Sequence, residues 1–240
     1  MLRTIIWFLY FFLYLAVAAP IWLYCTHKVR RGQRAQVQPV IERVVHNWAR
    51  RLLRLAGATV EVTGTENIPA ETAVFVANHQ SDFDIPIVLT QAGRPRALMA
   101  KQSLARVPGI HGWMNLLQCV FLDRSDEKQA VRALMDATKL VKAGVSMTIF
   151  PEGTRSKGGP VKEFKGGAFR IATSAKVPIV PVTIEGTYHL LEERGRIHPG
   201  HVRVTIHAPI PTADLSRQQV RELPERVRAQ ILSAMTGQHA

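Results

Sequence analysis

Seven short apolar runs constrain what this chain can fold into more than any other feature. They are Ala58–Val62, Ala73–Ala77, Ala97–Ala100, Cys119–Leu122, Ser146–Phe150, Ile179–Ile184 and Val202–Ala208. Between and beyond them lie runs of helical spacing: Ile85–Gln91, Gly109–Leu117, Glu127–Lys142, Gly167–Ala175 and Arg217–Met235. Strands separated by helices imply an α/β domain on a mixed, largely parallel sheet flanked by helices. In such sheets, sites collect in the loops beyond the strand ends. At 240 residues the chain is long enough for one such domain with a full core, plus something attached. It has no internal repeat and no low-complexity linker.

The attachment stands at the start. From Thr4 to Cys25 there is no charge, and Ile5–Ala19 is almost wholly apolar and aromatic. At ~1.5 Å per residue these 22 residues reach roughly 33 Å, against a hydrocarbon core of about 30 Å. Pro20 can kink the segment, so a helix that enters the bilayer without crossing is the alternative. A cleaved signal ending at Ala16-Val17-Ala18 fits less well. Its basic flank is Arg3 alone, and the apolar run continues through Ile21-Trp22-Leu23-Tyr24. Lys28, Arg30, Arg31 and Arg34 follow, which puts the rest of a membrane-anchored chain on the cytoplasmic side. Residues 1–35 are thus expected to form a membrane anchor with a basic juxtamembrane segment, and 36–240 the main domain. That domain opens on a basic amphipathic helix, with Val37, Ile41, Val44, Trp48, Leu52 and Leu55 on one side. Arg43, Asn47, Arg50 and Arg54 share the other, and Gly57 is a plausible stop. Its apolar stripe suits either the membrane interface or packing on the domain.

The net charge of +13 is uneven. Residues 1–60 hold nine Lys/Arg against Glu42 alone. Beside an apolar anchor, anionic lipid head groups are the better partner for this charge. No zinc-ligand spacing, RNA-binding aromatic signature or basic repeat favours nucleic acid. Two cysteines, Cys25 and Cys119, do not make a disulfide framework.

Two strand ends carry chemistry. Asn78-His79-Gln80-Ser81-Asp82-Phe83-Asp84 follows the run Ala73–Ala77. A separation of five residues from His79 to Asp84 is wrong for one helical face. The spacing suits a turn in which the histidine leaves the strand and Asp84 opens the next helix. A carboxylate on one ring nitrogen fixes the tautomer and leaves the other nitrogen to take a proton. Such a pair also serves as a plain structural hydrogen bond. Asp82 and Asp84 offer carboxylates to a metal, but no second histidine or glutamate stands at ligand spacing. In the second stretch, Phe150-Pro151-Glu152-Gly153-Thr154-Arg155-Ser156, Gly153 permits close backbone approach and Arg155 offers a fork matched to phosphate or carboxylate. A solvated turn is the plainer reading, and the spacing of a nucleotide P-loop is absent. Lys101 and Arg124 add cations just past two further strands. Each reads equally as a surface residue, yet cations at several strand ends of one sheet would converge, as a phosphate-bearing substrate requires.

Together these residues resemble the glycerolipid acyltransferase family, specifically the 1-acylglycerol-3-phosphate (lysophosphatidic acid) acyltransferases. Asn78 to Asp84 is similar to the family's first motif, histidine-four residues-aspartate. Val120-Phe121-Leu122-Asp123-Arg124 resembles the second, Phe150 to Ser156 the third, and Val177-Pro178-Ile179-Val180-Pro181-Val182 the fourth. The resemblance covers about residues 40–210.

The resemblance implies His79 as general base on the sn-2 hydroxyl of the lysophospholipid, with Asp84 orienting its ring. The donor would be an acyl-CoA or an acyl-carrier protein, the product phosphatidic acid, and no acyl-enzyme, metal or organic cofactor is called for. Arg155, Arg124 and Lys101 would hold the acceptor phosphate, and Glu152, Gly153 and Thr154 would shape that pocket. Another lysophospholipid, a lyso-ornithine lipid or glycerol 3-phosphate remains the alternative acceptor. A hydrolase and a non-enzymatic membrane module are the rival classes. The first lacks a G-x-S-x-G elbow, and the second leaves the strand-end residues unexplained.

Overall fold

The computed structural model describes residues 1–123 and 125–236, so Arg124 lies outside the described residues. Among these residues seven strands form the sheet: β1 Ala58–Thr63, β2 Val74–Ala77, β3 Ala97–Lys101, β4 Val120–Leu122, β5 Met147–Ile149, β6 Ile179–Glu185 and β7 Gly200–Ile206. Their order is β1-β7-β6-β2-β5-β3-β4. β6, β2, β5, β3 and β4 run parallel, β7 is antiparallel to β6, and β1 is parallel to β7. The expected mixed, largely parallel sheet is what forms, with strand positions within a few residues of those read from the apolar runs.

Among the described residues eight α-helices accompany the sheet: α1 Leu2–Val17, α2 Ala19–Arg30, α3 Arg34–Ala56, α4 Asp84–Thr90, α5 Ile110–Leu116, α6 Glu127–Lys142, α7 Gly166–Ala175 and α8 Arg217–Leu232. β2 sits in the middle and is buried on both faces, which is why its sequence is a continuous apolar run rather than an alternating one. The pleat sends Phe75 and Ala77 into one core, shared with α1 to α5, and Val74 and Val76 into the other, shared with α6, α7 and α8.

The N-terminal segment departs from a single straight span. Among the described residues no single helix is long and apolar enough to cross a membrane; α1 and α2 qualify only as a pair bent by 47°. The break falls at Ala18, because Pro20 has no N–H to continue the α1 ladder and its ring conflicts with the carbonyl four residues back. One face of α1 docks on the domain. Trp7 is buried and donates from Nε1 to the Leu52 carbonyl at 2.9 Å, and the Tyr14 hydroxyl donates to the Val44 carbonyl at 3.0 Å. The other face, with Leu2, Ile5, Leu9, Phe12 and Val17, is exposed.

α3 is packed inside the domain against α1, α2 and α4. Its buried row is Val37, Ile41, Val45, Ala49, Leu52, Leu53 and Ala56. This is displaced from the expected stripe: Val44, Trp48 and Leu55 are half-buried, and the first two border a cavity. Arg43, Arg50 and Arg54 are exposed, and Gly57 ends the helix at φ 77°, a conformation glycine adopts without strain.

Candidate active site

The loop after β2 is pinned before it reaches its chemistry. The Asn78 side chain donates to the Ile184 carbonyl and accepts from the Ile184 N–H, both at 2.8 Å, which ties the end of β2 to β6. The chain then turns so that Asp84 becomes the first residue of α4. Asp84 is fully buried. One carboxylate oxygen accepts from the Gln80 N–H at 2.6 Å, from the Ser81 N–H at 2.9 Å and from His79 Nδ1 at 2.7 Å. The other accepts from the Thr187 hydroxyl at 2.5 Å. An ionised carboxylate only accepts, so the proton sits on Nδ1 of His79 and the lone pair on Nε2. The His79 ring lies against Phe150, centroids 4.3 Å apart and planes at 25°, and its side chain is 17% exposed. A half-buried, tautomer-fixed imidazole with one basic nitrogen open to a cavity is equipped to take a proton from an alcohol.

That cavity has a volume of about 690 Å³ and is walled by α1, α3, α4, α5 and the ends of the strands. Trp7, Phe11, Trp48, Leu89, Trp113 and Met114 make most of its depth apolar, while His79, Lys101, Thr154 and Arg155 stand on its polar side. It is large enough for a drug-sized or lipid-sized apolar group.

The turn after β5 lies beside the His79 loop. Gly153, at φ 78°, leads into Thr154 and Arg155 on the cavity wall. Glu152 does not line the cavity. It is buried beneath the turn, where its carboxylate accepts from the His79 N–H at 2.6 Å and the Lys162 N–H at 3.1 Å. Burial pushes its acidity down, so its pKa lies above the usual carboxylate value, and the two N–H groups oppose that shift. Glu152 therefore ties the two loops together from beneath the turn. Ser156 N–H to the His79 carbonyl (2.8 Å) and Lys157 N–H to the Gln80 carbonyl (3.1 Å) lace the same loops. Lys101, at the end of β3, is exposed on the cavity rim.

Arg155 meets two carboxylates. Its Nη1 pairs with Asp82 and, at 3.0 Å, with Glu192. Glu192 also accepts from the Ser81 hydroxyl at 2.6 Å and from the Asp82 N–H at 3.0 Å. Asp82 and Asp84 thus serve different partners. Thr187 and Glu192 are the two site residues that the strand-end reading missed. Thr187 follows β6, next to β2, and the same rule applied to that strand would have found it. Glu192 lies in the charged stretch Leu191-Glu192-Glu193-Arg194, which carries no signal of its own.

A family model described as Acyltransferase matches residues 59–185. The chain is 40% identical over 168 residues to a chloroplastic 1-acyl-sn-glycerol-3-phosphate acyltransferase of Brassica napus, covering 67% of this chain and 48% of that one. It is 32% identical to the 1-acyl-sn-glycerol-3-phosphate acyltransferase of Borreliella burgdorferi, covering 76% of this chain and 74% of that one. The chain spans about half the length of the plant relatives it matches. Among solved structures, the 1-acyl-sn-glycerophosphate (LPA) acyltransferase PlsC of Thermotoga maritima superposes with a TM-score of 0.74 at 33% identity, over 99% of both chains. The matched model runs from β1 to the end of β6 and takes in His79, Asp84 and the turn through Arg155, and on that ground the chain belongs to the acyltransferase family.

Proposed function

We propose that the protein transfers an acyl group from a thioester donor, acyl-CoA or acyl-carrier protein, to the sn-2 hydroxyl of 1-acylglycerol 3-phosphate, giving phosphatidic acid. The observation that carries this reading is the meeting of a His79–Asp84 pair with the apolar cavity, Arg155 and Lys101 at one place. The names of the relatives support the same reaction. His79 Nε2 takes the hydroxyl proton as the oxygen attacks the thioester carbonyl. The C–O bond forms, the C–S bond breaks, and the proton passes on to the departing thiolate. A neutral imidazole is too weak a base to ionise an alcohol by itself, so proton transfer accompanies attack, and direct attack on the thioester needs no acyl-enzyme. Asp84 stabilises the imidazolium, and Phe150 holds the plane of its ring. Arg155 and Lys101, with Arg124, bind the acceptor phosphate. No metal or organic cofactor enters the scheme.

The lipid substrate is met at a membrane. The exposed apolar face of α1 and the basic residues Arg3, Lys28, Arg30 and Arg31 support docking on anionic lipid, with the sheet domain on the cytoplasmic side.

The test is to supply lysophosphatidic acid in vesicles with an acyl-CoA, and to follow thiol release and lipid product together. Phosphatidic acid from the native protein is expected, and His79→Ala lowers its rate about 10²- to 10⁴-fold, as loss of a general base does. Full activity in His79→Ala would sink the reading. Thiol release without acylated lipid would make the protein a thioester hydrolase.

A further inference from the structure

The two carboxylates on Arg155 are not equivalent. Glu192 is 6% exposed and is held by the Ser81 hydroxyl and the Asp82 N–H as well as by the guanidinium. Asp82 is 65% exposed, and Arg155 is the side-chain partner of its carboxylate. Asp82 also lines the same cavity as His79, Gly153, Thr154 and Arg155. An anion approaching the guanidinium from the cavity therefore meets the Asp82 carboxylate already there.

We propose that Asp82 is an internal competitor for the phosphate contact at Arg155, a specificity-determining side chain that raises the acceptor concentration the site requires. The inference rests on the reading of Arg155 as the acceptor-phosphate contact. A phosphate reaching the fork must displace the Asp82 carboxylate or sit beside it, and both cost affinity. The phosphate wins because it brings three acceptor oxygens and close to two charges, suited to bidentate bonds with a guanidinium. Asp82 loses because an exposed ion pair is weak: its contribution corresponds to about a two- to fivefold change in an equilibrium constant. Glu192 stays, since moving it would break three contacts at a position almost without solvent. It holds Arg155 in the cavity wall while Asp82 swings out.

The first variant is Asp82→Asn in the full chain, which keeps size and removes charge, with Asp82→Ser as a second. Two readouts apply: the KM for lysophosphatidic acid, and the Kd for inorganic phosphate by titration calorimetry, which needs no turnover. The expected result is a two- to fivefold fall in both, with kcat changing less than KM. A merely structural role for Asp82 would not give the second signature: the gain disappears when Arg155→Ala is also present. If acyl transfer to lysophosphatidic acid proceeds and neither Asp82 variant tightens KM or phosphate affinity, the Asp82 assignment falls and the proposed function stands. If the variants bind phosphate more tightly but the native protein acylates no lysophosphatidic acid, the function falls and the competitor stands.

Discussion

The carboxylate of Asp84 accepts from the backbone N–H groups of Gln80 and Ser81, from the Thr187 hydroxyl and from the His79 ring, at a position without solvent exposure. No water is at hand there to replace a lost donor. Thr187→Val leaves one carboxylate oxygen unpaired, and hydrogen bonds to charged groups are worth about 1.5–3 kcal/mol. We expect kcat to fall about tenfold, with acceptor KM little changed and partial recovery in Thr187→Ser. Steady-state kinetics of the three proteins checks this, and a drop in KM-dependent terms alone would count against Thr187 as a positioning residue. The residues of the two loops were legible because each lies within a few positions of a strand end: His79, Asp84, Gly153 and Arg155 announce themselves locally. Thr187 and Glu192 act on the His79–Asp84 loop from more than a hundred residues away, and only the pairing of β6 with β2 brings them there. Glu152 was legible as polar and adjacent, but its direction under the turn was not, because a turn of one residue either way decides whether a side chain faces cavity or core.

Among the elements, the strands were the easiest to place, since β2, β5 and β6 are buried on both faces and leave runs with hardly a polar residue. The break between α1 and α2 was the hardest, because Pro20 is compatible with a kinked span and with two separate helices, and tertiary docking through Trp7 and Tyr14 favours the second. α8 is fastened differently. The Thr183 hydroxyl donates to the Ile231 carbonyl at 2.8 Å and accepts from His207 Nε2 at 2.8 Å, so one threonine bridges β6, the residue after β7 and the helix. Burial holds the His207 pKa below the ordinary 6.5. The unfolded chain therefore takes up a proton more readily than the folded one as pH drops. The contribution of this contact is present in full above pH ~6.5 and declines as pH falls through the folded value. Urea midpoints should drop between pH 7.5 and pH 5, and His207→Gln should flatten that slope. An unaltered slope would assign the pH dependence to other groups.

At the scale of the whole molecule, the two sides of the sheet differ in kind. The side covered by α6, α7 and α8 is a closed core, whereas the side covered by α1 to α5 surrounds the cavity. The exposed face of α1 lies on this second side, next to the most basic part of the chain. Vesicles rich in anionic lipid should sediment the protein, and raised salt should weaken that binding. Leu9→Asp or Phe12→Asp should reduce it about tenfold or more, as the burial value of one large apolar side chain implies. Equal binding by both variants would place the contact elsewhere.

The cavity has a further consequence at the bench. Its apolar depth, walled by Trp7, Phe11, Trp48 and Trp113, presents hydrocarbon and aromatic surface that any saturated tail can lie against. Alkyl surfactants used to extract the protein carry such tails, so in micelles they would compete with an acyl tail for the same wall. Turnover measured there should rise as the surfactant is diluted.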